Sequence, residues 1–322
     1  MKNHLWLILL LGLGLSPVYG DSPSGSIDSY NEALTLISQS RFDDAISILN
    51  GLKEQQINYK YLYVTLGDAY AGKGDYASAQ ENMLFYLNDI GNKTEDPERY
   101  GIALGHYLEV LSKLKDCAGV DLYFKRSLDS PVTVYDDQID RVQTYLDIAG
   151  FKGCRPADKL RYIKEGIKTL GSLEAVGSQK TWFNNDFGHA LILKQTFYNA
   201  ESATKAGDLA LAHQYFLNEK KINPSAVVDC NISVSTRLLG ENYKELFLTH
   251  VDQAGADGKT LAGYAKNAVS YFEKALSELE MAKQEKDFPK YQDRYTKLAS
   301  FGQSLLDSFK NREVVKKYLE EK

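Results

Sequence analysis

Residues that could bind a metal ion or move a proton are few and scattered in this chain. The five histidines are His4, His106, His189, His213 and His250. No two of them have the HxH or HxxxH spacing that places two imidazoles on one face for zinc. Two lie in segments with helical periodicity, where a packed or surface histidine is the more common case. We therefore predict no metal site.

Motifs for nucleotide binding and nucleophilic catalysis are absent from the sequence. It contains no GxSxG, no GxxxxGK[ST] and no GxGxxG before a predicted helix. The pairs Asp43-Asp44 and Asp136-Asp137 lie where helices should begin, and carboxylates there favour the helix dipole and cap backbone amides. A general acid/base pair is the alternative interpretation. We predict no cofactor and no catalytic residue.

The most unusual local cluster is TWFNNDFGH at Thr181–His189, which overlaps a predicted polar loop at Val176–Asn185. Its rings offer contact area and its amides offer directional hydrogen bonds, so the segment could contact a peptide or a sugar. The alternative is a loop that Trp182 and Phe187 attach to the body of the protein.

Cys117, Cys154 and Cys230 form no CxxC motif, which argues against a zinc knuckle or a redox site. Cys117 and Cys154 lie beside Gly-containing segments and are 37 residues apart (154 − 117), about one helical hairpin. We expect either a disulfide between these two or three unpaired, partly buried thiols.

The N-terminal segment has the pattern of a secretory signal peptide. Lys2 precedes an apolar run at Leu5–Leu15, and Val18 and Gly20 are small enough for a peptidase site. The run is shorter than the roughly 20 residues that span a bilayer, although a retained anchor is the alternative. We predict cleavage after Gly20, a periplasmic or secreted protein, and no stable membrane insertion.

Composition and charge exclude other classes of protein. The chain is 43% hydrophobic and 25% charged, which is typical of a globular protein. Its formal net charge is −5, and no basic stripe of the kind that neutralises phosphates is present. We predict no binding of nucleic acid.

An internal repeat is the most informative pattern. Ala45 and Ala79 are 34 residues apart (79 − 45), and Ala33 aligns with Gly67 at the same offset. Small residues at a fixed period allow two helices to approach closely, and they predict stacked helical hairpins. Gly74-Asp75 fits a tight turn between two helices, since Gly tolerates positive φ and Asp caps the next helix.

At these residues the sequence resembles the tetratricopeptide repeat (TPR) family. The match is strong at Leu66–Gln80 and moderate at Ile27–Ile57, and Thr196–Pro224 looks like a third copy with its turn at Gly207-Asp208. Tyr264–Leu276 resembles a fourth fragment. The resemblance implies an all-α, TPR-like, right-handed helical-hairpin solenoid with irregular middle and C-terminal helices.

The predicted organisation has four segments. Residues 1–20 form the signal peptide, 21–130 the TPR-like repeats, 131–258 degenerate repeats with one hairpin near 196–224, and 259–322 a C-terminal helical hairpin or cap. The further helices that we predict are Glu98–Lys115, Asp136–Ala149, Ala157–Leu173, Tyr264–Lys286 and Lys290–Lys317. Ser225–Ser235 is either a strand or an extended linker.

The resemblance also implies a function. First helices in this family line a concave surface that binds extended peptides or partner helices. Carried over by register, the partner-binding residues are Tyr30, Leu34, Ile37, Tyr61, Val64, Asp68, Lys194, Phe197 and Glu201. We expect a non-catalytic, exported scaffold for a protein or peptide partner, with the oligomeric state open. The alternatives are a small-molecule or lipid carrier with an apolar pocket and an enzyme with its site at Val176–Asn185 or Ser225–Ser235.

Overall fold

The computed structural model describes residues 24–57, 59, 61–91, 96–130, 132–150, 156–197, 202–253 and 255–320. Within these ranges every regular element is helical, so the predicted all-α class is confirmed. The α-helices are α1 Ser24–Ser38, α2 Phe42–Glu54, α3 Leu62–Lys73, α4 Tyr76–Phe85, α5 Pro97–Leu114, α6 Cys117–Leu128, α7 Tyr135–Ala149, α8 Pro156–Gly177, α9 Phe183–Phe197, α10 Ser202–Ile222, α11 Ala226–His250, α12 Gly258–Met281, α13 Phe288–Lys310 and α14 Glu313–Glu320. A π-helical turn at Tyr86–Ile90 follows α4, and a 3-10 turn at Ala282–Gln284 follows α12.

The chain divides into two compact units, Met1–Tyr162 and Ile163–Lys322. In the first unit, α1 pairs with α2, α3 with α4 and α5 with α6, and each pair contacts the next. In the second unit, α9 to α12 pack in the same sequential order, with α13 and α14 against α12. This sequential hairpin packing agrees with the predicted fold, while the handedness and the four segment boundaries stay predictions.

Aspartates begin several helices, as the sequence indicates. The side chain of Asp75 accepts a hydrogen bond from the backbone N–H of Ser78, and Asp96, Asp116 and Asp257 cap α5, α6 and α12 in the same way. Gly74, with a φ of 90°, ends α3 in the left-handed region. The predicted Gly74-Asp75 turn is therefore confirmed.

A close approach between α3 and α4 lies at Gly67 of α3. A Cβ atom at this position would be 2.6 Å from Cγ of Met83 and 3.2 Å from the carbonyl oxygen of Ala79, both on α4. Ala79 and Met83 are themselves fully buried. The expected small-residue contact is therefore present, and any side chain larger than hydrogen at Gly67 would push α3 away from α4.

The second unit repeats this contact in longer helices. A Cβ atom on Gly240 of α11 would be 2.8 Å from the ring of Phe272 and 3.2 Å from the carbonyl oxygen of Ala268, both on α12. A Cβ atom on Gly188 of α9 would be 2.7 Å from the ring of Phe216 on α10. Phe216, Ala268 and Phe272 lie at the positions that the resemblance to the repeat family gives them. Their contacts with Gly188 and Gly240 were not predicted.

Two expectations for the second unit are wrong. The predicted turn at Gly207-Asp208 lies inside α10, where the carboxylate of Asp208 forms a 2.7 Å ion pair with Lys194 of α9. Tertiary contacts of this kind offset the cost of about 1 kcal/mol that a helical glycine carries. Ser225–Ser235 is neither strand nor linker but the beginning of α11. This stretch is buried on most of its faces, so its apolar residues follow no helical period.

The C-terminal helices differ from the prediction in their bounds. The expected break at residues 287–289 is present, because α13 begins at Phe288 with a proline in its first turn. The second predicted helix is divided at Asn311-Arg312 into α13 and α14. Along α13, Phe309 is buried, but Phe301 is half exposed beneath the guanidinium of Arg237.

Replacing Gly67 with Val should destabilise the first unit by about 1–3 kcal/mol, because the new side chain overlaps Met83. The matched control is Gly105→Ala in α5, where a Cβ atom has no neighbour within 4 Å, and this change should stabilise the protein by roughly 0.5–1 kcal/mol. Chemical denaturation followed by circular dichroism measures both. Equal unfolding midpoints for Gly67→Val and the unaltered protein would contradict the close approach.

Candidate functional site

Three of the predicted partner-binding residues belong to the core. Tyr30, Ile37 and Val64 expose 7%, 5% and 0% of their surface. The Tyr30 hydroxyl lies 2.7 Å from Oγ1 of Thr65 on α3, which ties the first hairpin to the second. These side chains stabilise the hairpins, so their placement on a contact surface is corrected: a partner gains no area from them.

The other predicted residues are dispersed. Leu34 packs partly buried against the core of the first two hairpins. Lys194 and Phe197 belong to the second unit, where Lys194 is paired with Asp208. Glu201 lies outside the described residues. Tyr61 and Asp68 lie near further polar groups of the first unit.

Asp68 on α3 forms an ion pair with His106 on α5. Its two carboxylate oxygens lie 2.8 and 3.0 Å from Nδ1 of the imidazole, and both side chains are about 15% exposed. Burial disfavours a charged imidazole, but the Asp68 carboxylate outweighs it and raises the pKa of His106 to about 9. His106 is therefore a cation at neutral pH and ties two successive first helices together.

More carboxyl groups surround this pair. Glu109 lies one turn after His106 on α5, and Asp137 and Asp140 lie one turn apart on α7, which packs against α5. Burial raises the pKa of all three, and that of Asp140 reaches about 6. Repulsion among neighbouring carboxylates adds to this, while the positive His106 counteracts it.

The Tyr61 hydroxyl completes this surface just before α3 begins. Its oxygen is buried and has no hydrogen-bond partner among the described residues. Burial raises its pKa well above the usual value, and the charges of Asp68 and Asp137 raise it further. The ring packs edge-on against Tyr86, with 5.7 Å between centroids. We call the surface formed by Tyr61, Asp68, His106, Glu109, Asp137 and Asp140 the first-helix face.

The chemistry of this face favours binding. A protonated imidazole cannot act as a general base, so His106 holds charge and position at neutral pH. No group of histidine, cysteine and carboxylate side chains suited to a metal ion occurs in the part of the chain that the structure describes. Carboxylates at the surface of three adjacent helices can accept hydrogen bonds from a segment lying across them.

Two shallow depressions lie on the C-terminal helices of the second unit, outside this face. One is on α13 around Ser300, Gln303 and Asp307, and the other is on α14 around Glu313 and Lys317. Both are open to solvent and have polar linings. Neither is the enclosed pocket of Tyr and Leu that a lipid carrier would need.

The Thr181–His189 segment is the beginning of a helix rather than a loop. Phe183 and Phe187 are buried, whereas Trp182 is 38% exposed with a φ of 72°. The backbone N–H of Trp182 donates to Oε1 of Glu219 at 2.7 Å, and this carboxylate also accepts from the first amides of α9. The segment is attached to the second unit through the buried ring of Phe187, as expected, and through Phe183 and Glu219, whereas the ring of Trp182 stays partly exposed.

Each cysteine has a separate outcome. Cys230 is a free thiol that is fully buried in α11, and burial raises its pKa. Cys117 begins α6. Cys154 lies outside the described residues, so the Cys117–Cys154 disulfide stays a prediction. Among the helices of the described ranges, none has the length and apolarity needed to cross a bilayer.

Sequence reasoning missed most of the first-helix face. The sequence indicates a helix-start charge at Asp137 and a packed or surface histidine at His106, and it does not single out Glu109 or Asp140. One signal was available on α7, where Asp137, Asp140 and Asp147 follow one another at spacings of three and seven residues. The pairing of residues 38 positions apart, as in Asp68 and His106, has no local signature.

Comparison with known proteins gives structural likenesses only. No family model and no curated protein matches the chain. It is similar to the C-terminal part of a TPR repeat-containing protein from Cytophaga hutchinsonii, with 13% identity, 91% of this chain and 100% of that chain covered, and a TM-score of 0.45. It is also similar to the TPR2AB domain of yeast Sti1 in its complex with pHSP90, with 11% identity, 87% and 99% coverage, and a TM-score of 0.31.

The pairing of His106 with Asp68 should be visible in a pH titration. Because the pKa of His106 is higher in the folded than in the unfolded protein, protonation of its ring stabilises the fold. This stabilisation is fully present below the unfolded pKa of about 6.5, and it is lost as the pH rises through about 9. NMR of the ring protons should give a midpoint near 9. In the Asp68→Asn protein the midpoint of the His106 titration should fall below 6.5, because burial lowers the pKa of the imidazole and less negative charge remains to raise it.

His213, in the other unit, serves as an internal control, since burial lowers its pKa and Asp68→Asn should leave its titration unchanged. In denaturation experiments, the loss of stability between pH 6.5 and 9 should disappear in the Asp68→Asn protein. A His106 midpoint near 6.5 in the unaltered protein would show that the pair does not hold a charge.

Proposed function

We propose that this chain is a non-catalytic, TPR-like scaffold whose first-helix face binds an extended segment of a protein or peptide partner. The observation that carries the proposal is the continuity of polar groups across α3, α5 and α7. Each of these helices contacts the next, and Asp68 joins the first two through His106. A segment that crosses the three helices meets polar groups from all of them.

Preorganisation supports binding by this face. The Asp68–His106 pair restricts two side chains that are each about 15% exposed, so a partner does not have to order them. The hairpins beneath are fixed by close contacts such as the one between Gly67 and Met83. A rigid polar surface on packed helices suits docking by contact area with a few directional hydrogen bonds.

The proposal includes export to the cell envelope, as a periplasmic or secreted protein. Its support comes from the sequence of residues 1–20, where Lys2 precedes the apolar run and Gly20 marks the expected peptidase site. In an oxidising compartment Cys117 and Cys154 would be able to pair.

Site-specific photocrosslinking tests the surface. A photoreactive amino acid at Asp136 or Lys113, both exposed beside the first-helix face, should give the same crosslinked partner from cells that express the protein. The matched control is Leu122, which is 51% exposed on the second helix α6 and should give none. Equal crosslinking from Leu122, or none from either first-helix position, would contradict the proposal.

N-terminal sequencing after cell fractionation tests export. The full-length chain expressed in a Gram-negative host should be recovered from the periplasm with Asp21 as its first residue, since Gly20 ends the predicted signal. Replacing Leu9 and Leu10 with Arg, which interrupts the apolar run, should leave uncleaved chain in the cytosol. Cytosolic recovery of the unaltered chain with residues 1–20 intact would exclude export.

A further inference from the structure

We infer that the segment bound at the first-helix face carries Lys or Arg side chains, an inference that rests on the proposed function. The face is acidic, its own cations are already engaged, and a buried hydroxyl beside it is unpartnered. These three observations come from different residues and point to the same class of ligand.

Two carboxyl groups on α7 have no cation in direct contact among the described residues, and only more distant charges such as His106 act on them. Asp137 and Asp140 lie one helical turn apart and are both partly buried. Within the described ranges, neither forms a salt bridge. Partly buried carboxylates without a cation cost free energy, and an arriving ammonium or guanidinium group would recover part of it.

The cations near the face are committed to other groups. His106 is bound to the α3 carboxylate at 2.8 Å. Lys113 lies 3.9 Å from Glu109 at the far end of α5. The guanidinium of Arg141 on α7 donates to backbone carbonyl oxygens at 2.9–3.1 Å. Carboxylates therefore outnumber the cations that are available to them.

The Tyr61 hydroxyl supplies the independent observation. Its oxygen is buried without a hydrogen-bond partner in the described part of the chain, and it feels the charges of Asp68 and Asp137. A buried hydroxyl without a partner is unfavourable, because it has lost its hydrogen bonds to water. A cationic donor that enters beside Asp68 can donate to this oxygen as well.

The spread of these groups favours a peptide over a single ion. A metal ion requires ligands that converge within about 2.6 Å, whereas these carboxylates belong to three helices. Neighbouring helix axes are about 8–10 Å apart, and an extended chain rises about 3.3 Å per residue. A cationic side chain at every third residue of an extended peptide would therefore meet one helix after another.

Fluorescence anisotropy with three labelled peptides of equal length tests this inference. The probes repeat Lys-Ser-Gly, Gln-Ser-Gly or Glu-Ser-Gly and are added to the protein as it is purified from expressing cells. The Lys peptide should bind at least about tenfold more tightly than the Gln peptide, and its affinity should fall as salt rises. The Glu peptide should not bind.

Variants of the face provide the second arm. The double change Glu109→Gln with Asp140→Asn should weaken binding of the Lys peptide about tenfold. Glu54→Gln with Glu81→Gln alters the net charge equally on the exposed second helices α2 and α4, and it should leave the affinity unchanged. Circular dichroism confirms that each variant is folded.

Tyr61→Phe separates a binding role from a structural one. The change removes an unpartnered buried oxygen, so thermal stability should stay equal or rise. Binding of the Lys peptide should nevertheless weaken several-fold. A drop in stability with unchanged binding would assign the hydroxyl to the fold and remove it from the ligand site.

Four results would overturn the inference. They are equal affinity for the Gln peptide, an equal loss in the Glu54 and Glu81 control, binding of spermine as tight as that of the Lys peptide, and displacement of the peptide by Mg²⁺ alone. If all peptides fail while crosslinking at Asp136 still captures one partner, the charge inference falls and the scaffold stands. If crosslinking also fails, the proposed function falls with it.

Discussion

The structure depends on how closely two helices of a hairpin can approach. At Gly67 the facing helix leaves no room for a Cβ atom, and at Gly240 the same is true of the facing phenylalanine. Such a contact fixes the rotation of the first helix about its own axis as well as its distance. Since neighbouring residues of an α-helix point about 100° apart, the position of Gly67 against α4 turns Asp68 toward α5. The ion pair with His106, and with it the first-helix face, follows from this packing contact.

Much of the fold could be predicted because small residues recur along the chain at a fixed spacing. A 34-residue period places Gly67, Ala79 and the Gly74-Asp75 turn where the structure has them. The prediction fails where the helices lengthen: Gly67 and Met83 are 16 residues apart (83 − 67), but Gly240 and Phe272 are 32 apart (272 − 240). In a hairpin with longer helices, a search at a fixed period of 34 residues finds the second helix. It then places the first helix too close to it in the sequence.

The candidate site could be predicted only in part, for a geometric reason. Register identifies the first helix but not which side of it faces solvent, so Tyr30 and Val64 were assigned to the surface although they fill the core. Asp68 was identified, but its surroundings come from α5 and α7, far along the chain. Contacts between hairpins arise from stacking, and no local pattern in the sequence encodes them. The same holds for Glu219, which stabilises the beginning of α9 from 37 residues away.

The partly exposed position of Trp182 before α9 has a practical consequence for spectroscopy. The chain has two tryptophans, and the other, Trp6, lies in the segment that we expect to be removed. Indole emission from the processed protein would then come from one ring, partly open to water and adjacent to a buried carboxylate in the second unit. Tyrosines and the peptide signal report on both units, since both are helical and both contain tyrosines. Melting of the second unit can thus be followed by indole emission alone, without any added label.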